Sequence, residues 1–462
     1  MHIKMHIGID DTDSISGGCT TYIGALIIEE LLKNRETKFI DYPNLIRLNP
    51  NIPWKTRGNG AVALRIEVLY DESTKIEEKV VKKVLENAYL DKNTEPTVAF
   101  LKGEVPTILK NFAYESIRRR MDIDQAVKIA EKSNVKLFTL NNKKRGIVGA
   151  ISAIGLTLDD GDYTYELLAY RKKENYGKKR EIDEKSVYEM DKLTSPYTFN
   201  NIDYEKNRIL ITPRGPDPVL FGIRGENPEI LLTALKRIRV YEPIERWVIY
   251  KTNQGTDMHY MDVKRIKELK CYDAVKLLGK VCSPPKIIRG GHLLLTITDE
   301  YSDTIECAIY EPTKRLKKTA MYLQCGDTIK VYGVVKEHNN TLMINVEKLY
   351  VKKLEKITKK LNPKCPICGA TMKSEGKNKG FKCEKCKYKA NINTKKEERI
   401  ILRNIYEGIY LPPPRSQRHL TKPLIRYTNE RRSNLQQKMI KNWYWSETLH
   451  TNINQNESNE EE

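Results

Sequence analysis

Three aspartates within four positions, Asp10, Asp11 and Asp13, follow the apolar run MHIGI and precede Gly17, Gly18, Thr20 and Thr21 in the stretch HIGIDDTDSISGGCTTYIG. Like charges crowded behind a buried strand are unfavourable unless a cation neutralises them. Hard carboxylate oxygens suit magnesium, which is held by one or two of them together with substrate phosphates. The glycines and Thr20/Thr21 open a predicted helix, whose unpaired N–H groups attract anions. A metal beside an anion hole is the chemistry of a nucleotide phosphate site. An N-cap turn with surplus acids would have the same composition. The aspartyl-phosphate pattern D-x-D-x-T fits poorly, since position 15 is Ile. Further along, Lys55, Arg57, Gly58 and Gly60 in KTRGNG put positive charge on a flexible loop whose amides can approach phosphate oxygens.

A second constellation lies near the other end. Cys365, Cys368, Cys383 and Cys386, in CPIC and CEKC, supply four thiolates in two knuckles, the tetrahedral sulfur set of a structural zinc. Such a site has no open coordination position, so its role is structural. Residues 351–400 hold 16 Lys/Arg against 5 Asp/Glu, with Phe381 and Tyr388 interleaved, a composition suited to single-stranded nucleic acid as well as to a merely solvated face.

These sites belong to a chain of 462 residues, too long for one hydrophobic core and suggestive of about three or four domains. Lys and Arg total 81 against 61 Asp and Glu, a formal charge of +20 that concentrates polyanions near the surface, although a biased genome or hot habitat would also enrich Lys. Nine cysteines without a regular framework argue for a reducing compartment. With no signal-peptide pattern and no apolar run near about 18 residues, a soluble cytoplasmic protein is expected.

The elements that must carry these groups follow from periodicity. The first stretch reads strand, helix (20–34), strand (39–48), loop (49–60), strand (61–70) and amphipathic helix (73–90). Further helix follows from 106, then strands at 146–156 and 163–170. This gives a mixed α+β domain over 1–195. Residues 196–270 read as a small α+β unit in which RGPDPVLFGIRGENPE is a Pro/Gly-rich loop. Residues 271–352 become all β, five strands with a helical insertion between the third and fourth, the layout of an OB barrel. The cysteine knuckles and a basic region with a helix to about 445 fill 353–450, and 451–462 is too polar to bury and is expected to be disordered.

GIDDTDS with GGCTTY, RLNPNIPWKTRGNGA, TPRGPDPVLFGIRGENPE, GGH…YEPTK…GDTIKVYG, the four-cysteine ribbon and PPPRSQRHLTKPLIR together resemble the archaeal agmatidine synthetases of isoleucine tRNA, the TiaS family, over residues 5–430. The resemblance implies a kinase-like domain, a ferredoxin-like domain, an OB fold and a zinc ribbon, in that order. It implies an ATP-dependent ligase that phosphorylates the C2 oxygen of the wobble cytidine in a CAU anticodon and displaces the phosphate with agmatine. ATP is cleaved to AMP and a threonine becomes phosphorylated; carried over, it falls in CTTY, Thr20 before Thr21. Magnesium would sit on Asp10, Asp11 and Asp13, with Gly17, Gly18, Thr21, Lys55, Arg57, Gly58 and Gly60 around the phosphates of ATP. Agmatine is a dication without a carboxylate, so its site should offer acids; Asp217, Arg224 and Glu226 are the candidates, on a loop that otherwise merely shapes a domain joint. The tRNA would be held by the barrel, the ribbon and Arg415, Arg418, His419, Lys422 and Arg426. Two other classes remain open. A non-enzymatic single-strand-binding protein would leave the aspartates idle, and a small-metabolite phosphotransferase would leave the last two hundred residues idle.

Overall fold

The computed structural model describes residues 1–91, 94–140, 144–159, 161–391, 393–427 and 438–449. The expected disordered tail at 451–462 lies outside the described residues.

An eleven-stranded sheet forms the body. Along its main path it runs Lys136–Thr139, Thr97–Lys102, His2–Asp10, Gly60–Leu69, Asn44–Arg47, Ile244–Thr252, Thr164–Arg171, Val219–Gly225 and Thr198–Phe199. His2–Asp10 is central, paired antiparallel on both sides, with Ile9 opposite Val62 and Val98. Its residues Met5, Ile7 and Ile9 are fully buried, so the acids that follow emerge at the end of a strand fixed by neighbours on both edges. Thr164–Arg171, expected in a first domain ending at 195, lies between Ile244–Thr252 and Val219–Gly225. The first two sequence segments therefore share one sheet.

Two segments differ from expectation. Residues 146–155 form a helix, Gly146–Gly155, instead of a strand. An apolar run this short has no decisive period, and its small residues let it lie directly on the sheet. A Cβ at Gly8 would come within 2.0 Å of the Ala150 carbonyl oxygen, so helix and strand backbones touch there. Within the presumed loop RGPDPVLFGIRGENPE, Val219–Gly225 is a strand with Leu220, Phe221 and Ile223 buried; the Pro and Gly residues flank it instead of breaking it.

Residues 274–353 close on themselves. Ala274–Val281 pairs with both Thr328–His338 and Leu293–Thr298, and the ring continues through Thr304–Ile309 and Thr341–Lys353. The short helix Arg315–Ala320 falls between the third and fourth strands of this ring. After the cysteine knuckles the chain returns. Gly408–Tyr410 adds to the barrel, and Tyr444–Ser446, expected as helix, is a strand on Ile244–Thr252. No described helix is long and apolar enough to cross a membrane.

Candidate functional site

The aspartates leave His2–Asp10 on a tight turn in which Asp11 adopts φ +56°, a left-handed conformation that Asp tolerates better than most residues. The Glu95 amide donates to Asp11 Oδ2 at 3.2 Å, and Arg145 Nη2 lies 3.8 Å from the same oxygen. Burial pushes the Asp10 carboxyl well above the ordinary carboxylate range, with Asp11 and Asp13 adding repulsion. Asp11 rises to about 6, again chiefly through burial, partly offset by Arg145. Asp10 is tucked against Gly146–Gly155 so closely that a Cβ on Gly149 would fall 1.8 Å from its Oδ2. Charge this crowded is the arrangement that a cation relieves.

Asp13 turns the other way, toward Arg57 Nη1 at 3.6 Å, and Arg57 Nη1 also lies 3.9 Å from Asp217 Oδ2. The same guanidinium donates to the carbonyls of Ser14 (2.9 Å), Gly17 (3.2 Å) and Gly18 (2.9 Å). Lys55 Nζ donates to the Arg57 carbonyl at 2.9 Å. The KTRGNG loop thus clamps the aspartate loop from above.

Two chambers result. The larger, about 600 Å³, is lined by Asp10, Asp11 and Asp13 on one side and by Lys55, Arg119 and Arg145 on others, a size that suits a nucleotide. The smaller, about 230 Å³, holds Thr20, Thr21, Arg57, Glu166, Asp217 and Arg224. Asp13, Thr56, Asn59 and Gly60 face both. Thr20 and Thr21 begin the helix Thr20–Leu32, and each hydroxyl is already oriented. The Thr12 hydroxyl donates to Thr20 Oγ1 at 3.0 Å, and Thr21 Oγ1 lies 3.1 Å from Cys19 Sγ.

Several expected site residues lie elsewhere. Gly17 and Gly18 line neither chamber; Tyr89 covers both, and their carbonyls face Arg57, so they shape the turn. The three aspartates do not converge on one point. Among the described residues only the four cysteines form a group of three or more His, Cys, Asp or Glu ligand atoms within 4.8 Å of one another. Glu226 is buried against Arg426 and away from both chambers. Arg426 is wholly buried, bonded to Asp162, Glu226 and the Gly255 carbonyl, and Lys422 Nζ is bound to Asp162 at 2.9 Å. His419 sits inside the smaller chamber, 3.2 Å from Arg224 Nη2 and 3.0 Å from Gln254 Oε1. Burial, with Arg47 and Arg224 nearby, drives its pKa well down and keeps the ring neutral. Arg415 is paired with Asp203 and Glu205. Of these five basic residues only Arg418 keeps a half-exposed side chain, 3.4 Å from Glu347. A PPPRSQRHLTKPLIR segment reads as basic in isolation, and its partners come from positions 162, 203 and 226, invisible to any local pattern.

Sequence reasoning also missed Glu166. It is buried beneath Arg224 (3.1 Å) and Arg47 (3.8 Å) on a strand whose alternation gave no hint of function.

The cysteines are arranged as two matching turns. Gly369 (φ +69°) and Lys387 (φ +65°) each follow the second cysteine of a knuckle in the left-handed region. Cys365 and Cys386 sulfurs lie 3.4 Å apart, as do those of Cys368 and Cys383. Sulfurs around zinc at about 2.3 Å would be separated by about 3.8 Å, so four thiolates fit the ion with little adjustment.

Fold and cleft define a multidomain α+β protein with a charged, two-chambered ligand cleft and an attached thiolate zinc-ribbon candidate. Its sequence matches the TiaS TCKD domain over residues 6–142, the TiaS FLD domain over 144–259 and the TiaS C-terminal zinc ribbon domain over 362–405. It is 46% identical over 424 residues to the isoleucine-tRNA 2-agmatinylcytidine synthetase TiaS of Pyrococcus horikoshii, covering 91% of this chain and 97% of that one. The Methanocaldococcus jannaschii protein of the same name is 44% identical over 430 residues, covering 91% and 98%. The apo structure of TiaS, an agmatidine synthetase of isoleucine tRNA, superposes with a TM-score of 0.82 at 37% identity. A complex of TiaS with isoleucine tRNA, AMPCPP and agmatine superposes with 0.79 at 36%; each comparison covers 95% of this chain and 99% of the other. The chain belongs to the TiaS family.

Proposed function

We propose that this protein uses ATP to join agmatine to C2 of the wobble cytidine in the CAU anticodon of isoleucine tRNA, switching decoding from AUG to AUA. The observation that carries the reading is the shared wall. A nucleotide in the larger chamber and a reacting group in the smaller one would press on the same Asp13, Thr56, Asn59 and Gly60.

In this reading the triphosphate occupies the larger chamber, where Lys55 and Arg145 face its charge. Asp10 and Asp11, in that chamber, fit magnesium held by one or two carboxylates plus phosphates, a demand that needs no three-way convergence. When bound, the ion offsets charge developing on the transferred phosphoryl group. Thr20, oriented by the Thr12 hydroxyl, is the phosphorylated threonine that the resemblance implies, with Thr21 its alternate. Asp217 and Arg224 keep their assignment to the agmatine side, and Glu166 replaces Glu226 as a carboxylate facing that chamber. The closed five-stranded ring with its helix is an OB barrel. Together with the ribbon and Arg418 it forms part of the tRNA-holding surface. The domain order is kinase-like, ferredoxin-like, OB fold (271–352), then the zinc ribbon and basic region (353–450). The family matches over 6–142 and 144–259, with Thr164–Arg171 paired to strands of the second segment, support a first boundary near residue 143 rather than 195. The enzyme acts in the cytoplasm.

The test is incubation with ATP, magnesium, labelled agmatine and an unmodified CAU isoleucine tRNA transcript. Label at the wobble base supports the ligase. RNA retention without ATP turnover would indicate a binding protein, and ATP turnover indifferent to RNA a metabolite kinase.

A further inference from the structure

Outside the two chambers lies a basic groove of about 900 Å³, lined by residues 177–182, 184, 208–209, 212–216 and Tyr241. Four of its cations, Lys178, Lys179, Arg208 and Arg214, are exposed and, among the described residues, have no carboxylate within 4.0 Å. This contrasts with Arg415, Lys422 and Arg426, each already neutralised by internal acids. The groove also contains Glu181 and Glu184, so it is basic and not uniformly cationic.

The groove is built, not merely charged. Buried Arg171 holds Glu242 at 2.7 Å and donates to the carbonyls of Lys178 (2.8 Å) and Lys179 (3.2 Å), fixing the backbone of the GKK turn from beneath. Gly177, at φ +76°, makes that turn possible. Arg180 ties the turn to the opposite wall through the carbonyls of Val219 (2.7 Å) and Gly215 (3.1 Å). Cations on an immobilised backbone lose less entropy on meeting a ligand than those on a free tail. The groove adjoins the smaller chamber, with Thr212 and Pro213 lining both. Tyr241, 70% exposed at its edge, presents a ring on which an unpaired base can stack.

We infer that this groove binds the sugar-phosphate backbone of the tRNA anticodon loop beside the target nucleotide and guides that nucleotide past Thr212 and Pro213 into the smaller chamber. The inference rests on the tRNA-ligase reading above. Unpaired cations along the groove supply sequence-independent affinity for phosphates, and the walls shared with the chamber convert that affinity into placement.

The test combines Lys178→Ala, Lys179→Ala, Arg208→Ala and Arg214→Ala in the full chain, with Tyr241→Ala as a separate variant. Filter binding to CAU isoleucine tRNA is read across salt concentrations, alongside agmatine incorporation and tRNA-independent ATP cleavage. The quadruple variant is expected to weaken tRNA binding on the order of tenfold or more near physiological salt, and to flatten the dependence of log Kd on log salt by about 0.7 per lost contact. KM for tRNA should rise while ATP cleavage is unchanged. Tyr241→Ala should weaken binding with the salt slope unaltered. Unchanged tRNA affinity and slope in the quadruple variant, with wild type modifying tRNA normally, would overturn the groove assignment and leave the ligase reading standing. If the wild type incorporates no agmatine while the quadruple variant still loses tRNA affinity and slope, the ligase reading fails and the groove stands as an RNA-binding surface.

Discussion

Replacing Arg426 separates a structural from an RNA-binding role for the basic C-terminal segment. A guanidinium has five N–H donors, and here all five are used. Nε and one Nη2 hydrogen go to Glu226 (2.5 and 3.1 Å), another pair to Asp162 (2.8 and 3.1 Å), and the last to the Gly255 carbonyl (2.5 Å). The side chain is fully buried, with Glu226 and Asp162 8% and 16% exposed. Arg426→Ala takes the bidentate guanidinium from buried Glu226 and its bond from the Gly255 carbonyl, while Asp162 keeps Lys422, so breaking this buried network costs about 3–5 kcal/mol. Arg426→Lys restores the charge but not the bidentate geometry, so it should recover only part of that loss. Denaturant unfolding followed by tryptophan fluorescence would show the midpoint falling in the order wild type, Lys, Ala. Below the transition, tRNA affinity should stay within about threefold of wild type, because no N–H is left for a phosphate. An unchanged unfolding midpoint combined with much weaker tRNA binding would refute the structural assignment.

Thr20→Ala and Asp11→Asn should abolish agmatine incorporation while leaving filter-bound tRNA nearly intact; near-normal incorporation by either would overturn its assigned role. Gly149→Ala should impair modification far more than a surface Gly→Ala change, because the new methyl would meet the Asp10 carboxylate at 1.8 Å. Cys383→Ser should release zinc, seen by atomic absorption, and weaken tRNA retention, yet spare tRNA-independent ATP cleavage; wild-type protein purified without zinc would count against this. Burial, reinforced by Arg65, lowers the His6 pKa to about 4, so the folded state holds the ring neutral where the unfolded chain would protonate it. That stability is present above about pH 6.5 and should fall by roughly 3 kcal/mol as pH drops to 4. Unfolding midpoints for His6→Gln should show a flatter profile over that window.

What a local stretch can encode was legible without coordinates. The cysteine knuckles, the acids at the end of an apolar strand, the helix at Thr20 and the five short strands of the barrel each depend on neighbours within a few residues, so spacing and periodicity expose them. Helix Gly146–Gly155 was not legible, because a ten-residue apolar run satisfies strand and helix alike until Gly8 and Gly149 reveal how closely it must pack. Val219–Gly225 was hidden by its flanking prolines and glycines.

The site divides in the same way. Chemical type was written in the chain: carboxylates, hydroxyls and cations near the amino terminus, thiolates near the other end. Assignment of each charge to solvent or to a partner was not, since Arg426 meets acids 200 and 264 positions away and Arg57 reaches back to Gly18 across 39. A guanidinium's role depends on whether its donors are already satisfied, and only the tertiary fold decides which carboxylates come within about 3 Å of it.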